Sequence, residues 1–184
     1  GEPLYLRPTS GNINVTDSLL TADYNCVDIQ IDGGGTVTAN FLRTTMTSVN
    51  GFGIQYFEPN DGATLIGTFD NVVISGTGGI DNFRASGGTT LTAIFTDSKI
   101  LSHGSLPAIN NMYVHSNSIF NLSIDNTDVI TTGVGSANNA INNLWASSNS
   151  VLHATITNSR IHAVQAAAIN NILSYTAITR SRTA

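Results

Sequence analysis

The aspartates are the first residues in this sequence that could carry out catalytic chemistry. Of the ten aspartates, Asp28, Asp32, Asp125 and Asp128 are the best carboxylate candidates. Two or three carboxylates that converge on one groove can act as general acid and base, as in glycoside hydrolysis. These four lie as two pairs in opposite halves of the chain. The sequence therefore predicts no catalytic cluster.

The histidines and the cysteine likewise show no spacing typical of a metal site or a disulfide. The four histidines, His103, His115, His153 and His162, show no spacing typical of paired metal ligands. Cys26 is the one cysteine, so an intrachain disulfide and a thiolate zinc site are both excluded. We expect no metal and no cofactor, and we expect Cys26 to be a small buried residue.

Composition narrows the class of protein. The 184 residues fit one domain, and they include 23 Thr, 21 Asn, 18 Ser and 17 Gly. With 41% hydrophobic and 10% charged residues, the chain is too apolar to be disordered and too rich in β-branched residues and glycine for a helical bundle. A net charge of -5 argues against nucleic-acid binding, and no apolar run is long enough to span a membrane.

A repeat of 26 to 32 residues organises the chain. Its clearest copies are Ile109-Asn110-Asn111-Met112, Ile141-Asn142-Asn143-Leu144 and Ile169-Asn170-Asn171-Ile172, with weaker copies at Ile54-Gln55-Tyr56-Phe57 and Ile80-Asp81-Asn82-Phe83. A second series runs in step with it: an apolar residue is followed two positions later by a polar or charged one. The apolar members are Val15, Phe41, Phe69, Phe95, Ile124, Ile156 and Ile178.

The repeat predicts strands that stack from copy to copy. Apolar and polar residues alternate within each copy, as in residues 154–157, which is the period of a strand. No copy contains a helical period, and a propeller blade would need about 40 residues or more. We therefore predict an all-β fold, a parallel β-helix of about seven coils of roughly 28 residues, in one domain covering residues 1–184.

The paired asparagines fit a tight turn between two strands, because asparagine tolerates the left-handed backbone conformation. Stacked amides can also hydrogen-bond from coil to coil. We expect a structural ladder rather than a binding site from these residues: Asn110, Asn111, Asn142, Asn143, Asn170 and Asn171.

Two columns of side chains are predicted to face outward. The first contains Lys99, Asp128, Arg160 and Arg182, which we expect to form a surface ion-pair ladder. The second follows the Asn pairs and contains Glu58, Arg84, Tyr113, Trp145 and Leu173. Tyr113 over Trp145, with Arg84 and His115 beside them, predicts a flat aromatic platform for a sugar or a partner side chain. Arg84 would hold a carboxylate or sulfate there.

Three features carry a resemblance to a known family. They are the asparagine rows, the strand motif ending in Asn158-Ser159-Arg160-Ile161, and the opening strand and Gly-rich turn at residues 29–37. Together they resemble the right-handed parallel β-helix (pectate-lyase-like) family, and most of all the passenger of an autotransporter adhesin.

The resemblance implies a secreted or cell-surface protein, on the bacterial outer surface, without catalytic activity. Its partners would be a glycan, a host or matrix protein, or further copies of itself, and the chain would be a fragment of a longer passenger or stalk. The alternative that the same fold allows is a polysaccharide lyase or glycoside hydrolase.

Overall fold

The structure is a computed structural model that describes residues 2–133 and 138–174, with side chains described through Asn170. The described residues form twenty β-strands and no helix. The first three turns of the chain contain β1 (Leu4–Leu6), β2 (Gly11–Thr16), β3 (Leu19–Ala22), β4 (Val27–Ile31), β5 (Thr36–Leu42), β6 (Thr45–Ser48), β7 (Phe52–Pro59), β8 (Thr64–Asp70) and β9 (Val73–Gly76).

The remaining strands continue the same succession. They are β10 (Gly78–Ile80), β11 (Phe83–Ala85), β12 (Thr90–Thr96), β13 (Lys99–Ser102), β14 (Ile109–Val114), β15 (Ile119–Asp125), β16 (Asp128–Thr131), β17 (Ile141–Ala146), β18 (Val151–Thr157), β19 (Arg160–Ala163) and β20 (Ile169–Ser174). Only the fourth turn splits one strand into two, β10 and β11.

Three parallel sheets run along the molecule, and each turn adds a strand to every sheet. The first sheet has the order β1-β4-β7-β10-β14-β17-β20, with β11 lying between β7 and β14. The second sheet has the order β2-β5-β8-β12-β15-β18, and the third has the order β3-β6-β9-β13-β16-β19. The predicted parallel β-helix is confirmed, with six turns in the described residues and β20 opening the next.

The corners between sheets explain why the repeat varies in length. Four residues always join the first sheet to the second, as at residues 32–35, and two always join the second to the third, as at residues 43–44. The third corner varies: one residue separates β9 from β10, whereas residues 132–140 separate β16 from β17. Despite these length differences the second and third sheets keep continuous register, and the first sheet shifts register between β4 and β7.

The core consists of like residues stacked on like residues. Val15, Phe41, Phe69, Phe95, Ile124 and Ile156 pair in register across the second sheet. The Phe69 ring stacks between Phe41 and Phe95, with centroid distances of 5.1 and 4.6 Å, and it meets Phe57 of the first sheet edge-on at 5.6 Å. Gly67 leaves room for this contact, because a Cβ atom there would lie 2.6 Å from Phe57 Cζ.

The polar series identified in the sequence forms the corner between the second and third sheets. Its residues adopt left-handed backbone conformations with φ between 46° and 51°, at Asp17, Arg43, Asn71, Asp97, Asn126 and Asn158. Aspartate and asparagine tolerate this conformation best among residues with a side chain. In five of these six corners the hydroxyl of the next residue closes the corner: Ser98 Oγ, for example, donates to Thr96 O at 2.6 Å. The exception is the corner at Asn71, where the next residue is Val72.

The Asn pairs lie elsewhere than predicted. They do not form a turn between two strands but lie inside β14, β17 and β20. The second residue of each pair kinks its strand, with φ of 53° at Asn111 and 57° at Asn143. In the fourth turn the same kink, at Asn82 with φ of 52°, separates β10 from β11. The flanking apolar residues fit a kink within one strand as well as a turn, so the pattern alone did not distinguish them.

The asparagine amides hydrogen-bond from turn to turn. Asn142 Nδ2 donates to Asn110 Oδ1 at 2.9 Å, and Asn170 Nδ2 donates to Asn142 Oδ1 at 3.0 Å. Asn143 Nδ2 donates to Asn111 Oδ1 at 2.9 Å. The side chain of Asn171, and the seventh repeat copy at residues 178–183, lie outside the described residues.

Both rows end on one carboxylate. Asn110 Nδ2 and Asn111 Nδ2 donate to the same Asp81 Oδ1, at 3.0 and 2.9 Å. Burial raises the pKa of Asp81, while these donated bonds oppose the rise by favouring the charged form. Asp81, in the fourth turn, is thus the acceptor at which both rows of amide hydrogen bonds end.

We expect Asn142→Ala to destabilise the fold by about 1 to 3 kcal/mol, because it removes the donor to Asn110 Oδ1 and the acceptor of Asn170 Nδ2. Asn12→Ala is the matched control, since Asn12 is an exposed strand asparagine and should change stability by about 0.5 kcal/mol or less. Urea unfolding followed by circular dichroism measures both. Equal unfolding midpoints for the two variants would contradict the ladder.

Candidate functional site

The candidate site lies on the outer face of the first sheet. Met112 and Leu144 are buried, at 0% and 3% exposure, so the residues that follow them in β14 and β17 point away from the core. Register places Arg84 beside Tyr113, and Tyr113 beside Trp145, in successive turns. We call these three outward residues the ring column.

The two rings of the column stack on each other. Tyr113 and Trp145 have centroids 5.2 Å apart and planes 8° apart, close to the spacing of about 4.8 Å between neighbouring strands. The predicted flat platform is therefore not what forms. A flat platform would offer ring faces to a ligand, whereas stacking covers one face of each ring with the other ring.

His115 extends the column sideways. Its ring lies 5.7 Å from that of Tyr113 with planes 13° apart, and its Nδ1 is 2.9 Å from Ser116 Oγ. Burial, with a smaller effect of the Arg84 charge, lowers the pKa of His115. Four residues predicted to bind a ligand, Arg84, Tyr113, His115 and Trp145, are thus neighbours on one face.

Arg84 is held in place on both sides. Its Nη1 donates to Tyr113 Oη at 3.0 Å, and its Nη2 donates to Glu58 Oε2 at 3.0 Å. The guanidinium carbon also lies 5.8 Å from the centroid of the Tyr113 ring, within cation–π range. Both terminal nitrogens are engaged within the protein, and each keeps a second N–H, so an external carboxylate or sulfate, as the sequence suggested, would share Arg84 with Glu58 and Tyr113.

Glu58 belongs to the candidate site, although the sequence analysis gave it no role beyond its place in the column. It occupies the outward column on β7, yet it is only 3% exposed. Burial raises its pKa to about 7 even though Arg84 opposes the rise. The signal available in the sequence was its position one turn before Arg84, but nothing in the repeat predicted that it would be covered.

Two polar atoms of this pair have no hydrogen-bond partner among the described residues. They are Glu58 Oε1, an acceptor, and Arg84 Nε, a donor, and both are buried. Buried polar groups nearly always have a partner in protein or water. The pair therefore offers one unused acceptor and one unused donor next to the ring column.

Further carboxylates surround the pair. Burial raises the pKa of Asp28, which is 4% exposed, and that of Asp81. Both carboxylates also act electrostatically on Glu58 and raise its pKa further. Burial likewise raises the pKa of Tyr56, and the charge of Glu58 adds to that rise.

The other carboxylate candidates are not brought to this site. Asp32 is exposed and lies 3.6 Å from Arg7. Asp125 ends β15, where it accepts hydrogen bonds from Thr157 and Asn158. Asp128 begins β16 and pairs with Arg160 at 3.0 Å.

The ion-pair column is only partly paired. Lys99, Asp128 and Arg160 are in register. Among the described residues, Asp128 forms an ion pair with Arg160 and none with Lys99. These residues line an open groove of about 410 Å³ at the corner between the second and third sheets. Arg182 lies outside the described residues.

Residues 2–133 and 138–170 contain neither a reactive thiol nor a cluster of side chains that could bind a metal ion. Cys26 is buried, and its Sγ donates to Thr47 O at 2.8 Å. Burial raises the pKa of this thiol to about 11, so it stays protonated at neutral pH. Across the same part of the chain, no three His, Cys, Asp or Glu side chains come together as a group that could hold a metal ion.

Comparison with known proteins gives no match: no protein-family model, no curated protein and no solved structure is similar to this chain at a significant level. In the described part of the chain, no helix is long and apolar enough to cross a membrane.

The Glu58 carboxyl predicts a pH dependence of stability. Its pKa is about 7 in the folded state, against 4.5 for an ordinary glutamate, so between these values the folded state holds a proton that the unfolded state releases. The stability from this group is fully present below about pH 4.5 and is lost as the pH rises through about 7. At about 1.4 kcal/mol per pKa unit, the loss is at most about 3.5 kcal/mol.

Urea unfolding at about pH 5 and about pH 8 measures this difference. Glu58→Gln is the control, because it keeps the size of the side chain and removes the titration. Its pH dependence should be smaller than that of the wild type, and other groups with shifted pKa values, including Asp28, Asp81 and His115, contribute to the remainder. Identical pH profiles for the two proteins would show that Glu58 does not titrate in this range.

Proposed function

We propose that this protein is a non-catalytic binding module of the adhesin type, secreted or displayed at a cell surface, and that it binds a glycan at the ring column. The observation that carries the proposal is the pair of stacked outward rings, Tyr113 and Trp145, beside an arginine that Glu58 holds in place. Aromatic residues with polar tips are favoured at binding surfaces.

The chemistry around the column favours a neutral sugar over an acidic one. Both terminal nitrogens of Arg84 are engaged within the protein, and three carboxylates, Asp28, Glu58 and Asp81, lie close enough to interact electrostatically. An anionic ligand would meet this negative charge. A sugar hydroxyl is uncharged and can both donate and accept, so it can approach Arg84 and the Tyr113 hydroxyl without this repulsion.

The rod-like scaffold suits such a role. Turns in strict register hold the column residues at fixed spacing, and a site on a rigid sheet loses little freedom when a ligand binds. Host or matrix proteins, and further copies of the chain, are the other partners that the resemblance to autotransporter passengers implies. A matrix-protein array and sedimentation analysis test these two partners beside the glycan test.

A glycan array should detect binding by the wild type that falls sharply in the double variant Tyr113→Ser/Trp145→Ser. The variant should remain folded, because losing a stacked aromatic pair costs about 0.5 to 1.5 kcal/mol beyond the buried area. Tyr24→Ser is the matched control: it removes an exposed tyrosine away from the column and should bind as the wild type does. Undiminished binding by a folded double variant would place the site elsewhere.

A glycoside hydrolase is the second candidate, and Glu58 is the observation that favours it. A buried carboxyl with a pKa of about 7 is protonated often enough at neutral pH to act as a general acid. A hydrolase also needs a second carboxylate at a defined distance, and Asp28 or Asp81 would have to supply it.

Incubation with neutral and acidic polysaccharides, with and without calcium, separates the two proposals. We expect neither shortened nor unsaturated products, measured by reducing-end and ultraviolet assays. Products formed by the wild type and absent with Glu58→Gln would replace the non-catalytic proposal with the hydrolase. Glycan binding without products, retained by Glu58→Gln at reduced affinity, would support the adhesin-type module.

A further inference from the structure

The outer face of the second sheet is the most regular surface of the molecule. Every residue of β5, β8, β12 and β15 pairs in continuous register, without the bulge that interrupts β4 and β7 in the first sheet. Apolar residues such as Leu65 and Leu91 point inward and are buried. The residues between them form rows on the outside, one row per strand.

Three strands of this face form a grid dominated by threonine. Register places three residues of β5, three of β8 and three of β12 in adjacent rows. We call these nine residues the threonine grid: Thr36, Thr38, Asn40, Thr64, Ile66, Thr68, Thr90, Thr92 and Ile94. Six are threonine, two are isoleucine and one is asparagine, so the grid presents hydroxyl and methyl groups side by side.

Charge and aromatic rings are almost absent from this face. The strands of the second sheet contain no Lys, Arg, Glu, Tyr or Trp. Their acidic residues, Asp70 and Asp125, lie at strand ends outside the grid, and their phenylalanines are buried. The one imidazole of these strands, His153 of β18, also lies outside the grid. The grid therefore lacks the cations that bind phosphate or sulfate and the rings on which sugars stack.

The spacing of the grid points to an ordered, uncharged partner. Neighbouring strands lie about 4.8 Å apart, and alternate residues along a strand lie about 6.6 Å apart. Surfaces of hexagonal ice repeat their oxygen atoms at distances close to these two. We propose that the threonine grid binds ice, with threonine hydroxyls taking lattice positions and the methyl groups lying against the ordered water between them.

Side-chain hydrogen bonds hold part of the grid in place. Thr68 Oγ1 donates to Asn40 Oδ1 at 2.6 Å, and Asn40 Nδ2 donates to Asn14 Oδ1 at 2.9 Å in the next turn. Thr36, Thr64 and Thr90 are neighbours across the three strands of the grid. They make no side-chain hydrogen bond within the described residues, so their hydroxyls remain available to water. A fixed grid loses less side-chain freedom when it meets a rigid lattice.

The grid and the ring column lie on different sheets, so this inference does not depend on the proposed glycan site. Thr64 is the position to change, since it occupies the middle strand of the grid. Thr64→Lys places a charge there, and Thr64→Tyr adds bulk without charge. Thr45→Lys is the matched control, because Thr45 is an outward strand threonine of the third sheet.

Purified wild-type protein should slow the recrystallisation of ice and facet single ice crystals, with serum albumin at equal concentration as the inert reference. Thr64→Lys and Thr64→Tyr should lose both effects, and Thr45→Lys should keep them. Circular dichroism and urea unfolding establish which variants are folded.

Absence of any effect from the wild type would overturn the proposal, whatever the variants do. Full activity of a folded Thr64→Lys or Thr64→Tyr variant would also overturn it, since the grid would then not be the contact surface. Adsorption of the wild type to crystalline cellulose or chitin, without any effect on ice, would assign the face to a polysaccharide surface instead.

Discussion

Parallel register between successive turns is the constraint on which the whole molecule depends. Each strand hydrogen-bonds to the equivalent strand one turn away, so every side chain has its counterpart as its nearest neighbour along the rod. Phenylalanine must stack on phenylalanine, as Phe41, Phe69 and Phe95 do, and amide must meet amide. Because side chains alternate between the two faces of a strand, a slip of one residue would exchange core and surface in every turn beyond it.

The same constraint explains what the sequence could predict. Stacking forces the repeat to be visible in the sequence, so the fold class, the apolar rows and the outward direction of Tyr113 and Trp145 follow from alignment of the copies. The corner residues could be read in the same way, since Asp17, Asn71 and Asn158 recur at one position and share one backbone conformation. At Asn111 and Asn143 the pattern fits both a turn and a kink within a strand. The sequence analysis predicted a turn, and the structure has a kink.

The geometry of the candidate site depends on side-chain contacts that the repeat does not encode. Register sets the distance between Tyr113 and Trp145, but side-chain rotation decides whether their rings lie flat or stack. Burial of Glu58 arises from the side chains that surround it, including an arginine one turn along the rod, and its raised pKa follows from that burial. The candidate site is therefore a place where unlike residues succeed one another in a column, Glu58, Arg84, Tyr113 and Trp145, beside a core in which apolar residues stack on apolar residues.

The direction of the hydrogen bonds has a mechanical consequence. In all three sheets these bonds run from turn to turn and thus lie along the rod axis. Tension between the two ends would load the turn-to-turn interfaces in series, and the weakest would part first while the others stayed closed. A released turn of the 28 residues that separate Phe41 from Phe69 would lengthen the chain by about 90 Å. A parallel β-helix under such tension would yield in discrete steps and absorb work at each one.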